Sequence, residues 1–357
     1  MNLRRPRSGF TLVEILVSAT IVVLIMTMLT AMTDQTQRLV QSTSKKVEQF
    51  QESRAGFESM TRRLSQATLN TYFDYKYKTA YQDVAGKSTP IRIATNYVRS
   101  SELRFRSGPM QDFTTGRGPG GAFQPTHGIF FQAPNGVVAD PAQLGSLDHL
   151  LNAWGFFVEY GSDDTTLPAC LKGRVDARKR FRLMEYMEPA EQLKVYQYQA
   201  DRATQWFAPV IIQAKRPVRP LAENVVALLF LPRLDRGTEQ ARRVAGKSTI
   251  LAPNYRYDST VDGSSGDPET NTKNQLPPVV QVTIVAVDEA SAKKLAGNTT
   301  NAATGGLEYG TLFRKPEDYD ADLAAFEKQL AVTQRVAYRV FTTNVSIRGA
   351  KWSVSQK

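Results

Sequence analysis

The chain lacks most of the residues that site chemistry relies on. Its single cysteine, Cys170, excludes an intrachain disulfide framework and a thiolate metal cluster. Its two histidines, His127 and His149, are too few for a histidine-based zinc or redox centre and have no evident nucleophile partner. No Gly-x-Ser-x-Gly elbow occurs. No catalytic residue, metal ligand set or cofactor is therefore expected. Proline is absent between Arg7 and Thr89, and Gly56 is the only glycine between Phe10 and Ala85, so nothing punctuates the first part of the chain. Acidic charge is also in deficit, with 34 Asp and Glu against 45 Lys and Arg, a net charge of +11. The basic residues are scattered apart from Arg4, Arg5 and Arg7 and short clusters, which reads as a solvated surface and not as a nucleic-acid patch. The remaining composition, 41% hydrophobic and 22% charged, excludes a disordered, collagen-like or multi-span membrane protein.

One long apolar run is present. Phe10 to Met32 is a 23-residue stretch whose only charge is Glu14. At about 1.5 Å per residue it makes about 34 Å of helix, enough to cross a hydrocarbon core of about 30 Å. It is longer than the apolar region of a secretory signal and no small-residue cleavage site follows it. The three arginines ahead of it predict a cytoplasmic N-terminus with the rest of the chain across the membrane. A carboxylate inside such a span is costly and calls for a partner.

The string Ser8-Gly9-Phe10-Thr11-Leu12-Val13-Glu14-Ile15-Leu16-Val17-Ser18 resembles the processing signal of type IV prepilins and type II secretion pseudopilins. The resemblance implies that residues 1–9 are a leader, that prepilin peptidase cuts between Gly9 and Phe10, and that Phe10 is then N-methylated. It makes Glu14 the fifth mature residue, with a role in assembly. The chemistry fits: cleavage frees a cationic amine in apolar surroundings, and a carboxylate one helical turn along a neighbouring subunit neutralises it and sets axial register.

Past the span, Val47, Phe50, Phe57, Met60 and Leu64 continue an apolar stripe, with Phe50, Phe57 and Leu64 seven apart. One helix from Phe10 to about Ala67 is expected, with residues 10–32 in the membrane, 33–69 amphipathic, and Phe50, Phe57 and Leu64 as its packing positions. From residue 70 onward the texture turns to short alternating or apolar runs. Glu102–Arg106, Trp154–Tyr160, Asn224–Leu231 (read as a central strand), Val279–Val287 and Phe341–Arg348 all carry strand signals. Pro316 followed by Glu317, Asp318, Asp320 and Asp322 marks a helix start. The expected class is α+β, a long N-terminal helix packed on a mainly antiparallel β-sheet head in the pilin-like manner. Polar stretches near 107–126, 257–274 and 296–310 are expected as mobile loops.

Within the pilin-like group, Phe57–Ser65, Asn224–Phe230 and Leu276–Ile284 resemble the J-type minor pseudopilins, and size and layout also resemble protein C of the Verru/Chthon cassette. These resemblances imply a minor structural subunit in the inner membrane, with its head in the periplasm and a place in a periplasmic pseudopilus. Prepilin peptidase, other pilin-like subunits, membrane lipid and a secreted protein are the implied partners. The alternative is a membrane-anchored extracytoplasmic binding module or enzyme unrelated to filaments. The hexapeptide Val-Ala-Gly-Lys-Ser-Thr, at 84–89 and again at 244–249, lacks the upstream glycine of a phosphate-binding loop. Asp318-x-Asp320-x-Asp322 lacks the glycine and terminal glutamate of a calcium loop.

Overall fold

The computed structural model describes residues 12–84, 86–145, 150–164, 167, 170–171, 173–197, 204–261, 271–298 and 301–353, without the side chains of 38–49 and 84. The chain divides into two units, Met1–Gln49 and Phe50–Lys357. Helix α1 (Leu12–Leu64) runs from the first into the second. The head then contains β1 (Tyr72–Val84), β2 (Lys87–Ser100), β3 (Arg106–Pro109), α2 (Gln111–Thr114), β4 (His127–Pro134), α3 (Pro141–Leu144), β5 (Leu151–Ser162) and β6 (Lys179–Glu188). It continues with α4 (Ala208–Ile211), β7 (Val218–Glu223), β8 (Val225–Arg233), α5 (Arg236–Val244), β9 (Tyr257–Asp258), β10 (Val279–Val287), α6 (Glu289–Ala296), α7 (Tyr319–Lys328) and β11 (Tyr338–Ser346).

The head is a set of antiparallel sheets, so the fold is α+β. Six strands pair in the order β7-β6-β5-β4-β3-β9, three in the order β11-β10-β8, and β1 and β2 form a hairpin of their own. The six-stranded sheet is covered on both faces, which is why β4 and β5 are buried nearly continuously instead of alternating. On one face Phe130 stacks on Phe207 with ring centroids 3.8 Å apart, and its ring lies over Gly155 on β5, where a Cβ would collide with it. On the other face lie Phe131, Trp154, Phe156 and Glu185, and it is here that the last turns of α1 dock.

Residues 53, 56, 57, 60 and 64 of α1 are buried, an i, i+3, i+4, i+7 stripe that is the signature of a helix laid on a sheet. Phe57 pairs with Phe341 of β11 at 6.3 Å, and Phe50, half-buried, lies beside Arg339 of the same strand. Ser53 and Gly56, which carry no apolar signal, hold the middle of the stripe. They do so because they are small: a Cβ on Gly56 would sit 3.0 Å from the Cβ of Ala222 in β7. Gly56→Leu is accordingly expected to destabilise the head by about 1–3 kcal/mol through overpacking, read by thermal unfolding of a chain beginning at Phe50. Gly56→Ser should cost much less.

Some expected elements differ. Glu102–Phe105 is not a strand; Leu103, Arg104 and Phe105 are buried consecutively, and pairing begins only at Arg106. The run at 224–231 is a strand, but β8 lies at the edge of its sheet and β10 is central. The edge is closed by side chains: Leu228 N–H donates to Thr126 Oγ1, Phe230 N–H to His127 Nδ1, and the Tyr309 hydroxyl donates to the Val226 carbonyl. Burial of a strand therefore did not require two strand neighbours. The stretch 107–126, expected as a mobile loop, holds most of β3 and all of α2, with Met110 and Thr114 buried. Of 257–274, the first two residues form β9 and 262–270 lie outside the described residues. In 296–310, Leu307 is buried and Tyr309 packs on Phe123 and Phe326.

Candidate processing and assembly site

Gly9 and Phe10 lie outside the described residues; Glu14 lies in the first turn of α1. From Leu12 to Gln37 the helix is long and apolar enough to cross a membrane, with a mean hydropathy of 2.5 and none of that window buried against protein. Its large side chains, Leu12, Ile15, Leu16, Ile21, Leu24 and Met28 among them, face outward. Hydroxyls on this surface are satisfied without water. Ser18 and Thr20 donate to the carbonyls of Ile15 and Val17 at 2.9 and 2.8 Å. Thr27, Thr30, Thr33 and Thr36 donate in the same way to carbonyls three or four residues back. A helix that absorbs its own polar groups can enter hydrocarbon without stranding them. Between Leu12 and Asp34, Glu14 is the only ionisable side chain, so it is the one charge the apolar segment presents at its N-terminal end.

The outer end of α1 is held by charge as well as by the apolar stripe. Arg63 pairs with Glu185 of β6, which is fully buried, and its guanidinium lies 4.4 Å over the Trp154 ring. Arg219 of β7 closes on the other carboxylate oxygen, with Nε 2.5 Å from Oε2. Burial, with the nearby Arg219 charge adding to it, lowers the Arg63 pKa from the ordinary guanidinium value. Glu52 accepts from the Glu223 backbone N–H one strand away. The sequence does not single out this contact, since nothing local distinguishes Arg63 from Arg62.

His127, without a role in the sequence, is the first residue of β4 and is buried. Its Nε2–H donates to the Phe313 carbonyl at 3.1 Å while Nδ1 accepts from Phe230, which fixes the neutral tautomer. Burial pushes its pKa down from 6.5 to about 4. Because the folded value lies below the unfolded one, this histidine's contribution is complete above pH 6.5 and is lost as pH falls toward 4. The loss should reach roughly 3 kcal/mol. Urea unfolding of wild type and His127→Gln at pH 7 and at about pH 4.5 should give a smaller pH dependence for the variant.

The other singled-out residues have ordinary places. Cys170 is exposed and not buried, and His149 lies outside the described residues. Asp320 and Asp322 sit in the first turn of α7, where Asp322 accepts from the Phe313 N–H at 2.7 Å. The two copies of the hexapeptide form turns. Gly86 at the β1–β2 tip and Gly246 after α5 both take positive φ, +75° and +68°. At Gly246 the helix closes with Lys247 N–H on the Arg242 carbonyl and Gly246 N–H on that of Arg243.

The fold and site thus define a chain with one N-terminal apolar helix and an antiparallel β-sheet head. Among known families, the model of the prokaryotic N-terminal methylation motif matches residues 4–30. That match supports a prepilin-type, type IV pilin-like protein, with prepilin peptidase as its processing enzyme and other pilin subunits as its assembly partners. Among the described residues one helix is long and apolar enough to span, and with this motif it is consistent with a single-pass anchor in the inner membrane. No curated protein and no solved structure matches the chain.

Proposed function

We propose that the chain is a minor pseudopilin-like structural subunit of a type II secretion or type IV pilus-like assembly, and not an enzyme. Prepilin peptidase cuts it between Gly9 and Phe10 and Phe10 is methylated. The N-terminus is cytoplasmic, the head periplasmic, and the subunit primes or caps a filament or engages a secreted protein. The observation that carries this reading is the methylation motif at 4–30 running into a helix whose hydroxyls from Ser18 to Thr36 are closed on its own backbone. Cleavage leaves 348 of the 357 residues, a bulky subunit for a shaft lattice, which supports few copies at or near the tip. Phe57 and Leu64 are occupied within the chain's own head, so subunit contacts fall to the apolar surface of Leu12–Gln37 and to head surfaces.

N-terminal sequencing and mass spectrometry of protein from a host with prepilin peptidase should find a chain beginning at N-methylated Phe10. A chain that keeps Met1 to Gly9 would overturn the reading and leave a plainly anchored module. Glu14→Ala should be processed and inserted normally yet enter the assembly about ten-fold less, because a neighbour's amine loses its counter-charge in apolar surroundings. Quantifying the variant in sheared filaments checks this, and normal incorporation would remove Glu14 from the mechanism.

A further inference from the structure

The β1–β2 hairpin pairs only with itself among the described sheets, yet it holds five of the chain's 14 tyrosines. Its register puts four of them, with Phe73, on one side. Phe73 faces Arg99, Tyr75 faces Tyr97, Tyr77 faces Ala94, Thr79 faces Arg92 and Tyr81 faces Pro90. Cross-strand neighbours share a face, and residues two apart in a strand do too. One face therefore carries five of the hairpin's six aromatic rings with Arg92 and Arg99, while Asp74, Lys76 and Lys78 occupy the other. The register shift after Lys76, with Thr95 Oγ1 donating to the Lys76 carbonyl at 2.8 Å, keeps both strands in phase beyond it. Arg92 consequently lies over the Tyr77 ring at 4.3 Å.

Part of this face braces the ribbon. Phe73 stacks on Tyr97 at 5.9 Å, and Tyr75 meets Tyr97 edge-on at 4.7 Å. Bracing leaves Tyr81 unexplained: it is 71% exposed near the tip, opposite a proline. Tyr75 and Tyr97 also remain 52% and 55% exposed despite their pairing. The root is fixed, with Arg99 Nη1 donating to the Lys351 carbonyl at 2.6 Å and Asn274 Nδ2 donating to the Arg99 carbonyl at 2.8 Å. From Phe73 to Tyr81 the rings of β1 span about 27 Å at about 3.4 Å per residue, on a ribbon tied to the head at its root.

We propose that this aromatic and arginine face of the hairpin docks an acidic protein partner other than a second copy of the chain. Exposed tyrosine with arginine, and little lysine or acid, is the composition of protein-binding hot spots. Arg92, stacked on Tyr77, keeps its donor fork available for a carboxylate. The aromatic face carries Arg92 and Arg99 against Asp83, the hairpin as a whole five basic residues against two acidic, and the chain +11, so a second copy would bring like charge. Single-stranded nucleic acid is disfavoured because Phe73, Tyr75 and Tyr97 turn their rings onto one another and Arg92 covers Tyr77, which leaves few open ring faces for bases. The filament role is not needed for this proposal.

The test replaces Tyr77, and separately Lys78 on the opposite face, with the photo-crosslinker p-benzoylphenylalanine in the full chain, in its own host. Irradiation should join the Tyr77 position, and not the Lys78 position, to a protein of net negative charge, identified by mass spectrometry. That protein, purified, should bind the full-length chain in detergent. Tyr77→Ala/Tyr81→Ala and Tyr81→Ala/Arg92→Gln, which leave the bracing rings and the Arg99 root in place, should each weaken binding about ten-fold or more, with further weakening from about 50 to about 500 mM salt. The head's unfolding temperature should stay unchanged in both variants, which separates loss of docking from loss of fold. Adducts only with the chain itself, with nucleic acid, lipid or polysaccharide, equal adducts from both faces, or none, would overturn the proposal. So would full affinity in both double variants.

Discussion

A chain beginning at Phe50 is expected to be soluble, monomeric and folded, whereas one beginning at Thr71 is expected to aggregate. The twenty-one residues between them supply Phe57, Met60 and Leu64, which are 6%, 0% and 0% exposed, followed by Ala67 and Leu69 at 1% and 2%. Burying each of the three large side chains contributes about 1.5–3 kcal/mol. Together they are comparable with the whole stability of an ordinary domain, about 5–15 kcal/mol. Removing the segment also bares the sheet face formed by Phe131, Trp154 and Phe156 and leaves Glu185 without Arg63. Gel filtration with near-ultraviolet circular dichroism distinguishes the two chains. Equal solubility and equal tertiary signal would mean that the last turns of α1 rest on the head without supporting it.

Glu185→Ala is the point substitution with the largest expected effect, a loss of about 3–5 kcal/mol in the chain beginning at Phe50. The carboxylate is fully buried and serves two guanidiniums from different elements, Arg63 of α1 and Arg219 of β7. Its removal leaves Arg63 as a largely covered positive charge beside another cation. Replacing the pair together, as Arg63→Met with Glu185→Leu, should recover much of the loss, because two desolvation costs disappear with the attraction. Urea unfolding of the two single variants and the double variant completes the cycle. Additive losses would show that Arg63 and Glu185 do not act as a pair.

How much of this could be read from the chain depended on the range of the interaction involved. The methylation motif at 4–30 was legible because it is a local string, and the proposed cut after Gly9 and role of Glu14 follow from counting along it. The stripe through Phe57, Met60 and Leu64 was legible because helical periodicity is set by neighbours three and four residues apart. The cores of β8 and β10 were legible because apolar β-branched runs bounded by proline or polar residues have few other uses. The Tyr72–Val84 alternation was equally local and could have been found; it passed unread because its pattern alternates aromatic with charged residues and no expected element claimed it.

Tertiary structure alone decided the remainder. Small residues such as Gly56 and Ala222 matter only where two backbones approach, and that contact joins positions 166 apart in sequence. Arg63 and Glu185 look like surface charge until a sheet covers them. His127 becomes a fixed neutral link only once Phe230 and Phe313 are brought to its two nitrogens. The hexapeptide at 84–89 and 244–249 makes the same point: its glycine takes positive φ in both places, but one copy turns a hairpin and the other ends a helix. Local sequence fixes the conformations a segment can adopt, while the partners that use them come from distant residues whose pairing no local pattern encodes.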